Sequence, residues 1–337
     1  MLQRLLPALV VCAIAGTAAA QDTAAPAAGF DLQRPEIRAF VDEQVKDGAD
    51  RQQLLDLLAR AVPQPRIIEA ISRPAEKALQ WWEYRARFLT DERIAAGVAL
   101  WREQRALLDS TSQRFRVSPQ YLLAIIGVET YYGRITGRYR VLDALATLAF
   151  DYPPRATFFR SELAQFLRLA REESLDVNGA LGSYAGAMGV AQFMPSSYRR
   201  YAVDGGSQPG RDLWNDWSDV FSSVANYLRE HGWQYGGPVL SEARYAGEEP
   251  APAIDGFALN STLGALRTRG FRIDFGGTDD VPAGPILATQ ADGTAYRIAF
   301  QNFQVITRYN RSPLYAMAVS DLADAIYVRY FEDFAWP

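Results

Sequence analysis

Cysteine is almost absent from this chain of 337 residues: Cys12 is the single one, inside a short apolar N-terminal segment. Once that segment is removed no thiol remains, which excludes disulfides and cysteine chemistry from the mature protein. Histidine is equally scarce, and His231 cannot assemble a zinc site by itself. Its place before Gly232-Trp233, where a helical pattern ends, suits a structural role near a helix C-terminus. Lysine is limited to Lys46 and Lys77, and the formal net charge of -4 carries no overall basic signal for nucleic acid or anionic lipid. No internal repeat, low-complexity tract or apolar run long enough to span a bilayer is present.

The N-terminus itself has a recognisable layout. Arg4 precedes the apolar run Leu5 to Gly16, and Thr17-Ala-Ala-Ala20 ends in an Ala-x-Ala exit. A short basic region, a short apolar region and small residues at the exit make residues 1–20 a cleavable secretory signal, with cleavage expected after Ala20. The expected destination is the periplasm. Lipid anchoring at Cys12 is not expected, because Val11 stands where a lipoprotein signal needs a small residue.

Hydrophobic content of 49% with 22% charged residues marks a globular chain, and its length favours a large core plus a smaller module. Residues 21–29 are small and read as a flexible leader. Helical periodicity fills 30–115, through Phe40, Leu54, Leu58, Trp81, Tyr84, Phe88, Val98 and Trp101. Ser118-Pro119 looks like an N-cap with proline at the first helical position. Further helices are expected at Ala156 to Glu173, Pro195 to Tyr201 and about Ser218 to Glu230. Glycine, proline and acidic residues crowd Gly236 to Gly256. Strand signals follow at Ile286 to Gln290 and Tyr296 to Phe300, joined through Asp292-Gly293. Helical spacing returns at Tyr315, Val319, Leu322, Ile326 and Tyr330.

Two segments could carry chemistry. In Leu122 to Gly133 an uncharged run leads into one carboxylate, Glu129, followed by Tyr131, Tyr132 and Gly133. Desolvation at the end of a buried helix disfavours the ionised form, which makes Glu129 a candidate general acid. A glutamate where a helix meets water is the plainer reading of the same pattern. In Gly182 to Tyr198 the glycines permit close backbone approach to a ligand, while Gln192 and the aromatics can bond to and stack on a sugar ring. A tightly packed loop before a helix would look the same.

Taken together, Gly127-Val-Glu129-Thr-Tyr-Tyr-Gly133, Val141 to Leu148, Gly186 to Ala202 and Ser223 to Tyr227 resemble the membrane-bound lytic murein transglycosylase B family. Trp82 to Phe88, Phe303 to Asn310 and Tyr315 to Val319 extend the resemblance over most of the mature chain. It implies an α+β, predominantly α-helical fold. A goose-lysozyme-like core would span 116–235, an accessory helical domain 30–115, a small β-containing module 236–302, and a C-terminal segment returning to the core 303–337. The implied activity is non-hydrolytic cleavage of the β-1,4 bond between N-acetylmuramic acid and N-acetylglucosamine, with peptidoglycan strands as partner. The single acid/base falls on Glu129, Ser183 on a serine near that acid, and Asn310 on an asparagine at the cleavage subsites. Tyr84, Gln192, Phe193, Met194, Tyr227, Tyr309 and Tyr315 fall on groove positions. Pro154-Arg155 departs from the family's best-known member, which has two successive arginines there, so Arg155 is expected to make a weaker contact with the peptide stem.

One carboxylate suffices if the muramic acid 6-hydroxyl is the nucleophile, whereas glycosidases generally need two. The nearest other acids in sequence have plainer readings: Asp143 a helix-start cap, Asp151 a turn residue, Glu162 a solvated helix position. Some family members bind calcium in an EF-hand-like loop where this chain has Asp204 to Asp219. Here Gly206, Gln208 and Pro209 disturb the ligand pattern, so no cofactor is expected. A muramidase that uses water, or a non-catalytic peptidoglycan-binding protein with the same groove, remains open on these residues.

Overall fold

The computed structural model describes residues 29–72, 79–206, 208–247 and 258–332. The signal peptide, Cys12 and residues 21–28 of the leader lie outside the described residues. Along the chain run α1 (Pro35–Lys46), α2 (Arg51–Ala59), α3 (Pro65–Ser72), α4 (Trp81–Phe88), α5 (Asp91–Glu103), α6 (Arg105–Phe115) and α7 (Pro119–Thr130). Then come β1 (Tyr139–Arg140), α8 (Val141–Asp151), α9 (Ala156–Glu172), β2 (Leu181–Gly182), α10 (Pro195–Tyr201) and α11 (Trp217–Glu230). The last part holds β3 (Leu240–Tyr245), β4 (Ser261–Thr262), α12 (Leu263–Thr268), β5 (Phe271–Ile273), β6 (Pro282–Gln290), β7 (Gly293–Ala299), α13 (Gln301–Tyr309) and α14 (Pro313–Glu332). The fold is α+β and predominantly helical, as the sequence leads one to expect. Among the described residues no helix is long and apolar enough to cross a membrane.

Contacts divide the described residues into two compact units, 79–132 with 221–332 and 29–72 with 133–220. Residues 30–72 fall in the second unit and 79–115 in the first. In the second unit α3 buries Ile67 and Ile71 and packs on α8, itself buried on every side and packed on α9. In the first, α4 and α5 bury Trp81, Tyr84, Phe88, Val98 and Trp101 and pack on α14. Each helix goes where its apolar face finds a complementary one, and sequence adjacency does not decide that.

Within the first unit α7 is the innermost helix, packed against α14 and α5. Pro119 occupies its first turn, and Ser118 has extended backbone but makes no side-chain cap. Leu122, Leu123, Ile125 and Ile126 have no exposed surface; burial of such side chains stabilises by about 1.5–3 kcal/mol each. An antiparallel sheet of order β4-β6-β7-β3-β5 belongs to the same unit. Its core comprises Ala243, Leu263, Leu266, Phe271, Ala283, Ile298 and Phe300. The buried Arg297 ties the sheet to the helices: it lies 2.8 Å from both Glu242 Oε1 and Asp321 Oδ1 of α14, with its guanidinium 5.3 Å from the Trp81 ring.

The expected hairpin turn needs correction, and one strand falls where the sequence carried no strand signal. Gln290 pairs with Gly293, so the hairpin turn is Ala291-Asp292 and Gly293 already belongs to β7. The charged stretch Leu240 to Tyr245 is a strand, because β5 and β7 flank it and satisfy its backbone on both sides. Two acids also have different duties from those expected. Asp143 does not cap its own helix but accepts from Val62 N at 2.9 Å. Glu162 is not solvated: it is 4% exposed and accepts from Ser196 N at 2.9 Å and Ser196 Oγ at 2.7 Å, holding the start of α10. Burial raises its pKa, against those two bonds and the charge of Arg155.

Candidate active site

Glu129 is half-buried near the C-terminal end of α7, the point at which that buried helix first carries a charge. The phenol of Tyr315, itself without exposed surface near the start of α14, donates to Glu129 Oε1 at 2.7 Å. Burial, then the charge of Glu129, push the Tyr315 phenol well above its ordinary range, with Tyr309 and Tyr84 adding smaller influences. Tyr309, at the end of α13, is pushed up for the same two reasons and by Tyr227. Both phenols stay neutral, and Tyr315 serves as a donor. The Tyr227 ring meets Tyr309 edge-on, 4.8 Å between centroids at 60°, and its hydroxyl donates to Arg308 O at 2.6 Å. Tyr84 is 1% exposed and tilted against Phe88 at 5.0 Å.

The expected residues of the first unit therefore gather around one carboxylate: Tyr315 by a hydrogen bond, Tyr309 by its field, Tyr84 and Tyr227 through those two. Asn310 follows Tyr309 directly and is 3% exposed. Its amide nitrogen has no hydrogen-bond partner among the described residues. A buried unsatisfied donor costs roughly 1–3 kcal/mol, an amount that a ligand acceptor would return. His231 is stacked on Tyr227 at 4.2 Å, with Nδ1 2.7 Å from Tyr227 O.

The remaining expected residues belong to the second unit, mostly in its glycine-rich segment. Ser183 is 2% exposed, and its Oγ accepts from Ala185 N at 3.3 Å and Ala187 N at 3.0 Å, so its hydroxyl hydrogen is left to donate. Gln192 has a left-handed backbone, φ 50°, and its amide nitrogen donates to Thr136 O at 3.0 Å and Gly189 O at 2.9 Å. That amide holds the turn, which leaves its oxygen for other use. Phe193 is buried, and Met194 is the half-buried residue before α10. The Arg155 guanidinium lies 4.5 Å from the Phe158 ring and 5.1 Å from that of Phe159, within the field of Tyr152, Glu162 and Tyr184.

Gly189 of this segment and Gly137, which packs against it, are sterically required. At Gly137, φ 107°, a Cβ would stand 2.0 Å from Gly182 O, and at Gly189, φ 67°, one would stand 2.4 Å from Leu213 O. Close backbone packing of that kind accepts no side chain.

The acids between Asp204 and Asp219 accept hydrogen bonds from backbone N–H groups of their own loop. Asp204 accepts from Gly206 N, Asp219 from Gly205 N and Asp212 N, Asp212 from Trp214 N and Asn215 N, and Asp216 from Ser218 N. Burial pushes the Asp219 carboxyl up, opposed by its two backbone bonds and reinforced by the charges of Asp216 and Asp204. Among the described residues no cluster of three or more acidic, histidine or cysteine side chains could hold a metal.

One participant was invisible in the sequence. Arg93, from the first turn of α5, donates Nη1 to Gly127 O of α7, with its guanidinium 4.5 Å from the Tyr131 ring. Beyond it the chain leaves the helix through left-handed Tyr131 (φ 50°), Tyr132 (φ 59°) and Gly133 (φ 81°). Two non-glycine residues in that region cost about 1–3 kcal/mol each. Nothing within Leu122 to Gly133 names the residue that compensates.

Comparison with known proteins follows the same lines. A family profile described as Transglycosylase SLT domain matches residues 32–324. Membrane-bound lytic murein transglycosylase B of Escherichia coli (strain K12) is 37% identical over 308 residues, spanning 88% of this chain and 84% of that protein. The crystal structure of catenated lytic transglycosylase SltB1 from Pseudomonas aeruginosa superposes with a TM-score of 0.83 at 45% identity, covering 88% of this chain and 98% of that one. SltB3 from the same organism, solved in complex with NAG-NAM-pentapeptide, has a TM-score of 0.76 at 30% identity, covering 88% of this chain and 80% of its own.

Proposed function

The chain belongs to the Transglycosylase SLT domain family, and from that premise we propose a peptidoglycan lytic transglycosylase whose single acid and base is Glu129. The enzyme cleaves the glycan strands of murein, the substrate class of its relatives. The N-terminal pattern of Arg4, an apolar run and Ala20 supports export to the periplasm.

The observation that carries the assignment is the Tyr315 hydrogen bond onto Glu129 Oε1 at 2.7 Å. With Oε1 engaged as acceptor, the protonated form presents its hydroxyl from Oε2. That proton passes to the glycosidic oxygen as the bond to C1 of the muramic acid breaks. The C6 hydroxyl then closes on C1, and its proton returns to Glu129. No water is consumed, and the new end is a 1,6-anhydro ring. In the intermediate state Glu129 is a carboxylate, which the neutral phenol of Tyr315 stabilises by donation. The single-carboxylate scheme is supported by the duties of the acids nearest in sequence: Asp143 bonds Val62 N, Asp151 pairs with Arg34, and Glu162 holds Ser196. The acids of Asp204 to Asp219 bond to backbone N–H groups of their own loop, and the proposed reaction routes no step through a metal.

Digestion of purified murein by the mature protein, followed by mass spectrometry, tests the reaction. Anhydro ends are lighter than reducing ends by one water; reducing ends throughout would make the protein a muramidase. Glu129→Gln is expected to abolish turnover and retain glycan binding, and full turnover in that variant removes Glu129 from the chemistry.

A further inference from the structure

We infer that Arg93, together with Tyr132 seated between Gly97 and Gly127, is a positioning device for Glu129. The inference rests on the reading of Glu129 as the acid and base. Glu129 lies between two points at which other residues grip the chain. On one side is Gly127, whose carbonyl accepts the Tyr131 N–H at 3.2 Å and also the Arg93 guanidinium. On the other is the left-handed turn at Tyr131 and Tyr132, with φ of 50° and 59°. Tyrosine has no intrinsic preference for that region, so the turn persists only where its surroundings over-determine it.

Two contacts supply that constraint. Arg93 lies face-on to the Tyr131 ring at 4.5 Å and to the Phe88 ring at 5.2 Å, which fixes the first tyrosine while the cation faces the carbonyl end of α7. Tyr132 is 8% exposed and occupies a slot made by removing two side chains. A Cβ on Gly97 of α5 would stand 2.5 Å from its hydroxyl, and a Cβ on Gly127 of α7 would stand 2.7 Å from it. One ring thus sets the spacing of α5 and α7 at the level of Glu129, and one guanidinium closes the helix end. The backbone that carries the carboxylate bonded to Tyr315 is thus held before and after Glu129, by residues that need never touch the glycan.

A role of this kind affects the chemical step more than binding, since a misplacement of about 1 Å at a reacting group can cost roughly 100-fold in rate. Arg93→Met, which keeps length and loses charge and fork, is expected to lower kcat by about 10- to 100-fold with KM within about twofold. Arg93→Lys should recover part of the loss, because it returns the charge without the planar stack. Gly127→Ala, which displaces Tyr132 and keeps the carbonyl that Arg93 bonds, should show the same split between kcat and KM. Each is assayed on solubilised murein beside Glu129→Gln, with kcat referred to folded protein by thermal melting at the assay temperature. Wild-type kcat in Arg93→Met alongside an inactive Glu129→Gln overturns this inference and leaves the acid assignment standing. A loss that vanishes when corrected for the folded fraction also overturns it, as a purely structural role. Turnover in Glu129→Gln overturns both. If Arg93→Met fails to fold, Arg93→Lys decides: a several-fold lower kcat at unchanged KM supports the inference, and wild-type kcat refutes it.

Discussion

Replacing Tyr315 by Phe isolates the hydrogen bond on which the proposed chemistry turns. The ring is fully buried, so phenylalanine fills nearly the same space, and the change reduces to one hydroxyl 2.7 Å from Glu129 Oε1. Hydrogen bonds to charged groups are worth about 1.5–3 kcal/mol. The bond strengthens as Glu129 turns from acid to carboxylate, so its loss falls on the transition state. At about 1.4 kcal/mol per tenfold, kcat should drop by roughly 10- to 150-fold, while KM changes little. The pH profile supplies a second readout. The donor favours the ionised carboxyl, so without it the protonated form persists to higher pH, and the alkaline limb of kcat should move upward. Murein turnover measured across pH, with a thermal melt of the variant, is the assay. A kcat within about twofold of wild type, or an alkaline limb moved downward, would refute the linkage between Tyr315 and the reacting proton.

Four further outcomes follow from particular contacts. Asn310→Ala should weaken binding of a murein fragment several-fold, measured by calorimetry, and leave the melting temperature unchanged or higher, because it deletes a buried donor without a partner among the described residues. Gly137→Ala should lower the melting temperature markedly, since φ of 107° alone costs about 1–3 kcal/mol and the new Cβ would collide with Gly182 O; an unchanged melt refutes that close approach. Asp324 is pushed up to about 6, from 3.8, by desolvation and then by Asp321. The folded state thus holds that proton more tightly, and stability falls as pH rises through that interval. Because the side chain is exposed, Asp324→Asn should gain no more than about 1 kcal/mol, present above pH 6 and absent below pH 4, in denaturant titrations. Chelation by EDTA should leave the melt unchanged, because the acids of Asp204 to Asp219 are bonded to backbone N–H groups; a drop would show a cation that those bonds conceal.

The sequence by itself determined the features written in neighbouring residues. Ser118-Pro119 and the apolar run after it set the start and burial of α7, the 3.6-residue spacing from Tyr315 to Tyr330 set α14, and Pro195 set the start of α10. The lone carboxylate after Val128 was legible for the same reason. Tertiary structure alone decided who meets that carboxylate. Tyr315 is 186 residues away from Glu129, and Arg93 reaches Gly127 across 34; no local pattern encodes either approach. The same holds for β3, a charged stretch that is a strand only because β5 and β7 lie on both sides of it, and for Glu162, which looks solvated until α10 covers it. Periodicity tells a segment which face to bury, whereas its partner depends on the packing of the whole chain. Left-handed Tyr131 and Tyr132 make the point most sharply: their own preferences oppose that conformation, and only the surrounding α5, α7 and Arg93 hold it.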